Sequence, residues 1–486
     1  MDQEIWLYFW VRNTHLLIST FESNKKFHLR TNQAVIGPVL NVSDPELAKI
    51  ILVKDFHIFN QRVGSAAPTK HPILSKNLAA VEYELWKRIR PVVSPTFTSG
   101  KMKKMYPLID ECSQYLIEYL ESHVVNGKEV IVKDVFGCLT MDVIAKCAFG
   151  IDTNAHKDKN NPFVVNGKKI FETNILTVLI LNLTPNFILR MIGSSLLSEG
   201  GFLQSAEFFF NVSRHIIKKR RQSNQRREDF LQLLIDSQNI DKVNEENNEK
   251  DNEIDAESHH VGGHEELNYY KQSSGKPLTD DEVIAQAFVF FIAGYETTAT
   301  TLSYVSYELA LNQDIQDKLY DEIKTIQYER DEIDYETLVK LPYLDAVISE
   351  SLRKYPPAVR LARVASQKYQ LRDTEITLDK GSNVNILVYA IHHNEEYYPS
   401  PDKFKPERFL PENRDQIKPF TYLPFGSGPR NCVGMRFALL EAKLALAKII
   451  TKYKFVKSKS TQVPLTFLPN RVILTPKSII IGVERR

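Results

Sequence analysis

Cysteine is scarce in this chain. Only four occur in 486 residues, Cys112, Cys138, Cys147 and Cys432, and none forms a CxxC pair. Such spacing excludes a disulfide framework and offers no zinc signature. An excess of one charge is missing too: 62 basic residues stand against 60 acidic ones, for a net charge of +2, and the signs are mixed along the chain. Without a basic stripe or tail, nucleic acid is not an expected partner. The N-terminus lacks a continuous apolar run, because "IWLYFWVRNTHLLIST" is broken by Arg12, Asn13 and His15, short of the roughly 20 residues that span a bilayer. It also lacks the small-residue cleavage site of a secretory peptide, and Asp2 and Glu4 argue against a mitochondrial presequence. An interfacial amphipathic helix is the membrane mode left open there. No internal repeat is visible.

What is present suits a large, mainly helical core. Hydrophobic residues make up 43% of the chain and aromatics 10%, enough for one large domain or two smaller ones. Residues 32–56 read as a strand or two and then a helix, with Ser43 and Asp44 as candidate caps. From about residue 75 to 235 the apolar spacing is helical, and Cys112, Cys138 and Cys147 read as small buried hydrophobes within it. Residues 237–275 are polar and acidic, so a disordered surface insertion is expected, and His259, His260 and His264 within it are not expected to hold a metal. Residues 278–312 predict a long helix buried nearly all round, opened by a capping box of Thr279 and Glu282. Two further helices stop at Pro356 and Pro357, short strands turn at Lys380 and Gly381, and a proline-rich meander leads to "YLPFGSGPRNCVGMRFALLEAKLALAK" at 422–448.

Cys432 has a special setting in that last segment. Gly426 and Gly428 describe a tight loop after Phe425 in which backbone can approach a ligand, and a helix is expected to begin near Gly434. A helix N-terminus and Arg430 both favour thiolate over thiol, so Cys432 is expected to ionise easily. A nucleophile needs a base beside it, yet no histidine lies between His393 and the C-terminus. For a single thiolate ligand without other local ligands, haem is the natural metal group, since the porphyrin provides the equatorial ligands.

The segment resembles the haem-binding signature of the cytochrome P450 family, with Phe425, Gly426, Gly428, Arg430, Cys432 and Gly434 all in place. Over residues 35–486 the wording is similar to the animal microsomal drug- and xenobiotic-oxidising clan. The resemblance implies a mainly α haem-thiolate fold with a small β-rich part, haem b as cofactor and Cys432 as the axial iron ligand. It implies a buried structural cluster of Glu350 and Arg353 in "ESLR" with Arg408 in "FKPERF". It assigns "AGYETT" to oxygen activation, with Thr297 hydrogen-bonding dioxygen or its water and Glu296 relaying protons. Trp86, Arg90, Arg363 and Arg430 are implied to grip the haem propionates, anions that suit clustered cations.

The implied function is monooxygenation of a lipophilic small molecule, with electrons from NADPH through a flavoprotein reductase. Lys87, Arg88, Lys101, Lys103, Lys104 and Lys443 read either as a basic dock for the reductase or as an ordinary solvated face, and a lipophilic substrate is suggested by the aromatic run "SAEFFFNV" and by Ala358 and Val359, although aromatics at such spacing are more often core. Residues 1–34 depart from the clan: neither a membrane anchor nor a proline-rich hinge is recognisable there. Peripheral membrane contact and the cytoplasmic face of the endoplasmic reticulum are expected from the resemblance. Two rivals are a haem-thiolate isomerase or dehydratase of peroxides, whose relatives tend to lack the acid and alcohol pair retained here, and a non-catalytic haem-binding protein, which would consume no NADPH.

Overall fold

The computed structural model describes residues 29–34, 37–62, 71–125, 129–171, 201–223, 226–238, 276–329, 333–372, 374–468 and 473–486. Residues 1–28, most of the atypical N-terminal segment, lie outside these, as does the expected insertion from residue 239 onward. A hairpin comes first: β1 (Leu29–Ala34) pairs antiparallel with β2 (Gly37–Val42). Paired sheet thus starts upstream of residue 35. Asp44 then caps α1 (Pro45–Lys49) by accepting the Leu47 N–H at 2.9 Å, as expected of an aspartate one residue before a first-turn proline.

Helices follow in succession: α2 (Tyr83–Val93), α3 (Ser99–Val125), then after the two-residue β3 (Val130–Ile131), α4 (Val132–Ile144), α5 (Pro162–Phe171), α6 (Phe202–Ser223) and α7 (Phe230–Asp236). The axis of the fold is α8 (Asp280–Leu311). Its capping box forms as expected: Glu282 N–H donates to Thr279 Oγ1 at 3.4 Å, and Thr279 N–H donates to Glu282 Oε2 at 2.8 Å. Asp280, Asp281 and Glu282 place negative charge where the helix dipole favours it. At 32 residues the helix runs for about 48 Å.

The second half continues through α9 (Gln313–Glu329), α10 (Tyr335–Lys340), α11 (Pro342–Lys354), β4 (Leu361–Val364), β5 (Tyr369–Gln370), β6 (Thr377–Leu378), β7 (Asn383–Ile386), α12 (Val388–His392), α13 (Met435–Lys452), β8 (Tyr453–Val456) and β9 (Ile480–Arg485). The main sheet has the order β1-β2-β7-β4, with β2 and β7 parallel and the other pairs antiparallel. The expected mainly α fold with a small β part is therefore what forms. Among the described residues α8 alone has the length and composition to cross a membrane, and its burial shows it to be the core helix.

Aromatic side chains close that core. Phe209 sits with its ring 4.2 Å from Phe291, and Phe210 lies 5.0 Å from Phe288. Both residues are fully buried. Of the two readings of "SAEFFFNV", core packing is the one that holds at Phe209 and Phe210: these rings hold α6 against α8.

Candidate active site

The cysteine loop is built by its own backbone. Gly426 N–H donates to Leu423 O at 3.0 Å, Asn431 N–H to Gly428 O at 2.9 Å, and Cys432 N–H to Phe425 O at 2.9 Å. Gly426 and Gly428 take φ of +72° and +74°, values that L side chains rarely adopt. A Cβ on Gly428 would lie 2.0 Å from Leu52 O. The close approach at Gly428 is thus to protein backbone, at the buried turn Ile50–Lys54, and not to a ligand as expected. Gly434 is the N-cap of α13, so Cys432 precedes the helix as foreseen.

The expectation of an easily ionised Cys432 is corrected. Burial raises its thiol pKa, and the opposing pulls of the Gly434 N–H, Arg90 and Arg62 do not cancel that effect. The residue is nonetheless open to space. A thiol that is desolvated by its surroundings and yet accessible faces a void inside the fold.

A matching opening lies on α8. Val289, Ile292, Ala293, Gly294, Glu296 and Thr297 are the half-buried or exposed positions in the middle of a helix otherwise buried around them, and Ala293 is exposed outright. Val289, Ile292, Ala293, Glu296 and Thr297, spaced by three and four, share one stripe. Phe97 touches both α8 and the end of the cysteine loop: it packs 5.1 Å from Phe290 and would lie 3.6 Å from a Cβ on Gly434. Gly294 sits where a Cβ would come 3.1 Å from Ile144, so glycine lets α4 cross closely. Thr297 Oγ1 donates to Ala293 O at 2.7 Å. Glu296 carries an ion pair the sequence did not foretell, Lys133 Nζ at 2.5 Å from its Oε1.

Cations gather beside the cysteine loop. Arg430 is buried with its guanidinium 4.5 Å over the ring of Trp86, which is itself 1% exposed. Arg90 does more than present charge: it donates to Asn431 O at 3.0 Å and to Asn431 Oδ1 at 2.5 Å, clasping the residue before Cys432. Arg363 is 3% exposed, and its Nε is buried with no hydrogen-bond partner among the described residues. Arg62, which the sequence reading passed over, donates to Arg430 O at 2.7 Å. Burial and then Arg90 lower the Arg62 pKa to about 10, and burial with Arg62 and Arg430 lowers that of Arg363. Like charges pressed together in this way suit a dianionic group bound between them, so the residues present fit haem propionates. Nothing local in the sequence marks Arg62, because it belongs to the group only through the fold.

Behind the loop, the expected cluster assembles. Glu350 and Arg353, both fully buried, form a two-point pair: Arg353 Nε donates to Glu350 Oε2 at 2.7 Å and Nη2 to Oε1 at 2.9 Å. Arg353 also donates to His392 O at 2.9 Å and Pro401 O at 2.7 Å. Arg408 Nε stands 3.5 Å from Glu350 Oε1, while its Nη2 donates to Pro399 O at 2.7 Å. His392 carries the connection onward. Its Nε2 accepts the Leu423 N–H at 2.8 Å, which leaves Nδ1 as the donor to Arg353 O at 3.1 Å. Burial keeps this imidazole far below its ordinary pKa and therefore neutral. The meander is thus pinned two residues before Phe425.

The six-residue basic face does not form as read. Lys443 is buried, pairing with Asp345 at 2.7 Å and donating to Val339 O at 2.9 Å. Arg88 is taken up by Glu282, and Lys103 by Glu336. Charges spaced along a sequence are neutralised by partners from other helices that local reading does not see.

Comparison with known proteins agrees with this geometry. A family model described as Cytochrome P450 matches residues 4–483. The chain is 37% identical over 451 residues to cytochrome P450 3A9 of Rattus norvegicus, covering 92% of this chain and 83% of the relative. It is 38% identical over 454 residues to cytochrome P450 3A7 of Homo sapiens, with coverage of 92% and 83%. Similarity extends to an insect protein, cytochrome P450 6k1 of Blattella germanica, at 38% over 448 residues, with 91% and 81% covered.

Proposed function

This chain belongs to the cytochrome P450 family and is a haem-thiolate monooxygenase with haem b as its cofactor, and from that premise we propose how its own residues do the work. Cys432 would hold the haem iron through its sulfur. Arg62, Trp86, Arg363 and Arg430 would hold the propionates, and Arg90 fixes the ligand loop through Asn431. When bound, haem supplies reductive activation of dioxygen, and a thiolate ligand favours O–O cleavage.

Thr297 and Glu296 deliver protons from the open stripe of α8. A hydroxyl has one donor and two acceptor sites, so Thr297 can accept from a water while it donates to Ala293 O. Lys133, at 31% side-chain exposure, pairs with Glu296 and links it toward solvent for that relay. The substrate is a lipophilic small molecule and the electron source a redox partner. We take the partner to be an NADPH-dependent flavoprotein reductase, and the site of action to be the cytoplasmic face of the endoplasmic reticulum with peripheral membrane contact.

The observation that supports this reading is the accessible thiol of Cys432 on a loop flanked by the arginine group, in a fold whose central helix is open at Ala293–Thr297. The test is reconstitution with haem, NADPH and a flavoprotein reductase, following NADPH consumption, oxygenated product and peroxide. Thr297→Ala is expected to cut product by about 10²-fold, the scale of a lost proton donor, and to divert reducing equivalents to hydrogen peroxide while the haem spectrum stays the same. Unaltered coupling would count against the assignment. Turnover of an organic hydroperoxide without NADPH, and none with it, would favour the isomerase reading.

A further inference from the structure

Hydroxyl side chains along the middle of α8 follow a rule that two of them break. Thr297 Oγ1 donates to Ala293 O at 2.7 Å, Thr301 Oγ1 to Thr297 O at 2.9 Å, Ser303 Oγ to Ala299 O at 2.7 Å and Ser306 Oγ to Leu302 O at 2.8 Å. Each turns back onto the carbonyl four residues earlier. Thr298 and Thr300 do not, and their hydroxyl oxygens are buried without a hydrogen-bond partner among the described residues. What stands against Thr298 is a carboxyl of α13. Glu441 is 1% exposed and Thr298 3%. Burial drives the Glu441 pKa well above the ordinary carboxylate range, so the group is neutral, and the Thr298 hydroxyl beside it pulls the other way. Glu441 Oε1 and Thr298 Oγ1 are nonetheless both outside direct hydrogen-bond geometry.

Packing places this pair between the two helices that frame the site. Glu441 lies two turns into α13, about 10 Å from the N-cap Gly434 that follows the Cys432 loop. Phe437, one turn earlier on the same face, packs 5.0 Å from Phe230, which lies 5.8 Å from Phe290 of α8. Thr298 falls two turns beyond Phe290 on that side of α8 and directly follows Thr297. A leucine would fill the Glu441 position without taking a carboxyl out of water, so packing alone does not call for an acid there.

We propose that Glu441 is a positioning residue for oxygen activation, whose carboxyl turns the Thr298 hydroxyl toward α13 and so sets the bend of α8 at Thr297. This deepens the monooxygenase reading and rests on it. Threonines that bond back to the carbonyl four residues earlier bend a helix. With Glu441 in place, Thr297 makes that bond and its neighbour does not. Without it, Thr298 is free to bond Gly294 O, and two adjacent hydroxyls reshape the turn that presents Thr297. The same contact ties that turn to the helix carrying the ligand loop.

The test joins infrared spectra of the ferric holoprotein at neutral pH to coupling measured with NADPH and a flavoprotein reductase. The native spectrum less that of Glu441→Gln is expected to show the carbonyl band of a protonated carboxyl, and Thr298→Val to move that band to higher frequency. Glu441→Leu is expected to lower product formed per NADPH by roughly ten-fold, against about 10²-fold for outright misplacement of a reacting group, while its haem content and unfolding temperature do not fall. Glu441→Gln, which keeps the shape and the hydrogen-bonding oxygen, is expected to retain most of the coupling, and Glu441→Leu with Thr298→Val to be no worse than the poorer single variant. No carboxyl band, a band that Thr298→Val leaves in place, native coupling in Glu441→Leu, or additive losses in the double variant overturns the proposal. Loss of haem or stability in Glu441→Leu overturns it too, by making the carboxyl a packing element. A native holoprotein that forms no product with NADPH, or whose reduced carbon monoxide complex lacks the thiolate band, would instead overturn the reading beneath it.

Discussion

Gly428 shows how closely the ligand loop is fitted to the rest of the fold. Its positive φ and the 2.0 Å gap between a Cβ there and Leu52 O leave no room for a side chain. Gly428→Ala is expected to cost about 1–3 kcal/mol from dihedral strain alone, with the backbone clash added, and thermal unfolding of the holoprotein measures it. A variant as stable as the native chain contradicts that packing. His156 offers a second residue-level test. It is buried with neither ring nitrogen hydrogen-bonded, its ring tilted against Tyr119 at 4.8 Å between centroids, and burial first, then Lys159 and His123, lower its pKa to about 4. The unfolded chain binds this proton near pH 6.5 and the folded chain only near 4, so stability falls as pH drops through that window, by up to about 1.4 kcal/mol per unit. Asp142, pushed up to about 6 by burial, acts in the opposite sense and is common to both proteins compared. His156→Phe is expected to match the native chain at pH 7.5 and to lose less stability at pH 5 in chemical denaturation. An unchanged acid slope contradicts the assignment. At this scale Cys432 was legible from its glycines and following helix, whereas its raised pKa was not, because desolvation comes from residues distant in sequence.

Among elements, the joint of α11, α12 and the meander decides whether the ligand loop stays in place. Glu350 and Arg353 hold each other, and His392 passes the constraint to Leu423 N–H. Removing one member leaves the other charged and buried, a cost of about 3–5 kcal/mol. Arg353→Ala is therefore expected to lower the yield of haem-loaded protein and its unfolding temperature before any effect on chemistry is read. Normal haem content and stability would show the pair to be dispensable. The sequence showed this joint in part. The three-residue spacing of "ESLR" put acid and base on one helix face, and "FKPERF" supplied Arg408, but the histidine that completes the chain of bonds had no mark of its own. The capping box of α8 was legible for a simple reason: both halves lie within four residues. Lys133 was not, since it reaches Glu296 from a helix 163 positions away.

For the whole molecule, sequence pattern and structure agree where the physics is local and part where it is not. Apolar runs on all faces marked α8 as the core helix, and the break in that pattern at Ala293–Thr297 is where the helix opens. The arginine group beside Cys432 draws on residues 62, 90, 363 and 430, four segments brought together only by the sheet and α2. The central claim is that this assembly presents Cys432 to iron as a thiolate. The measurement that tests it most directly is the absorption spectrum of the dithionite-reduced, carbon-monoxide-bound holoprotein, read beside Cys432→Ala. A strongly red-shifted Soret band in the native protein, absent from the variant, is the expected result. A band at the position of a neutral proximal ligand, or a red-shifted band that survives the loss of Cys432, would contradict it.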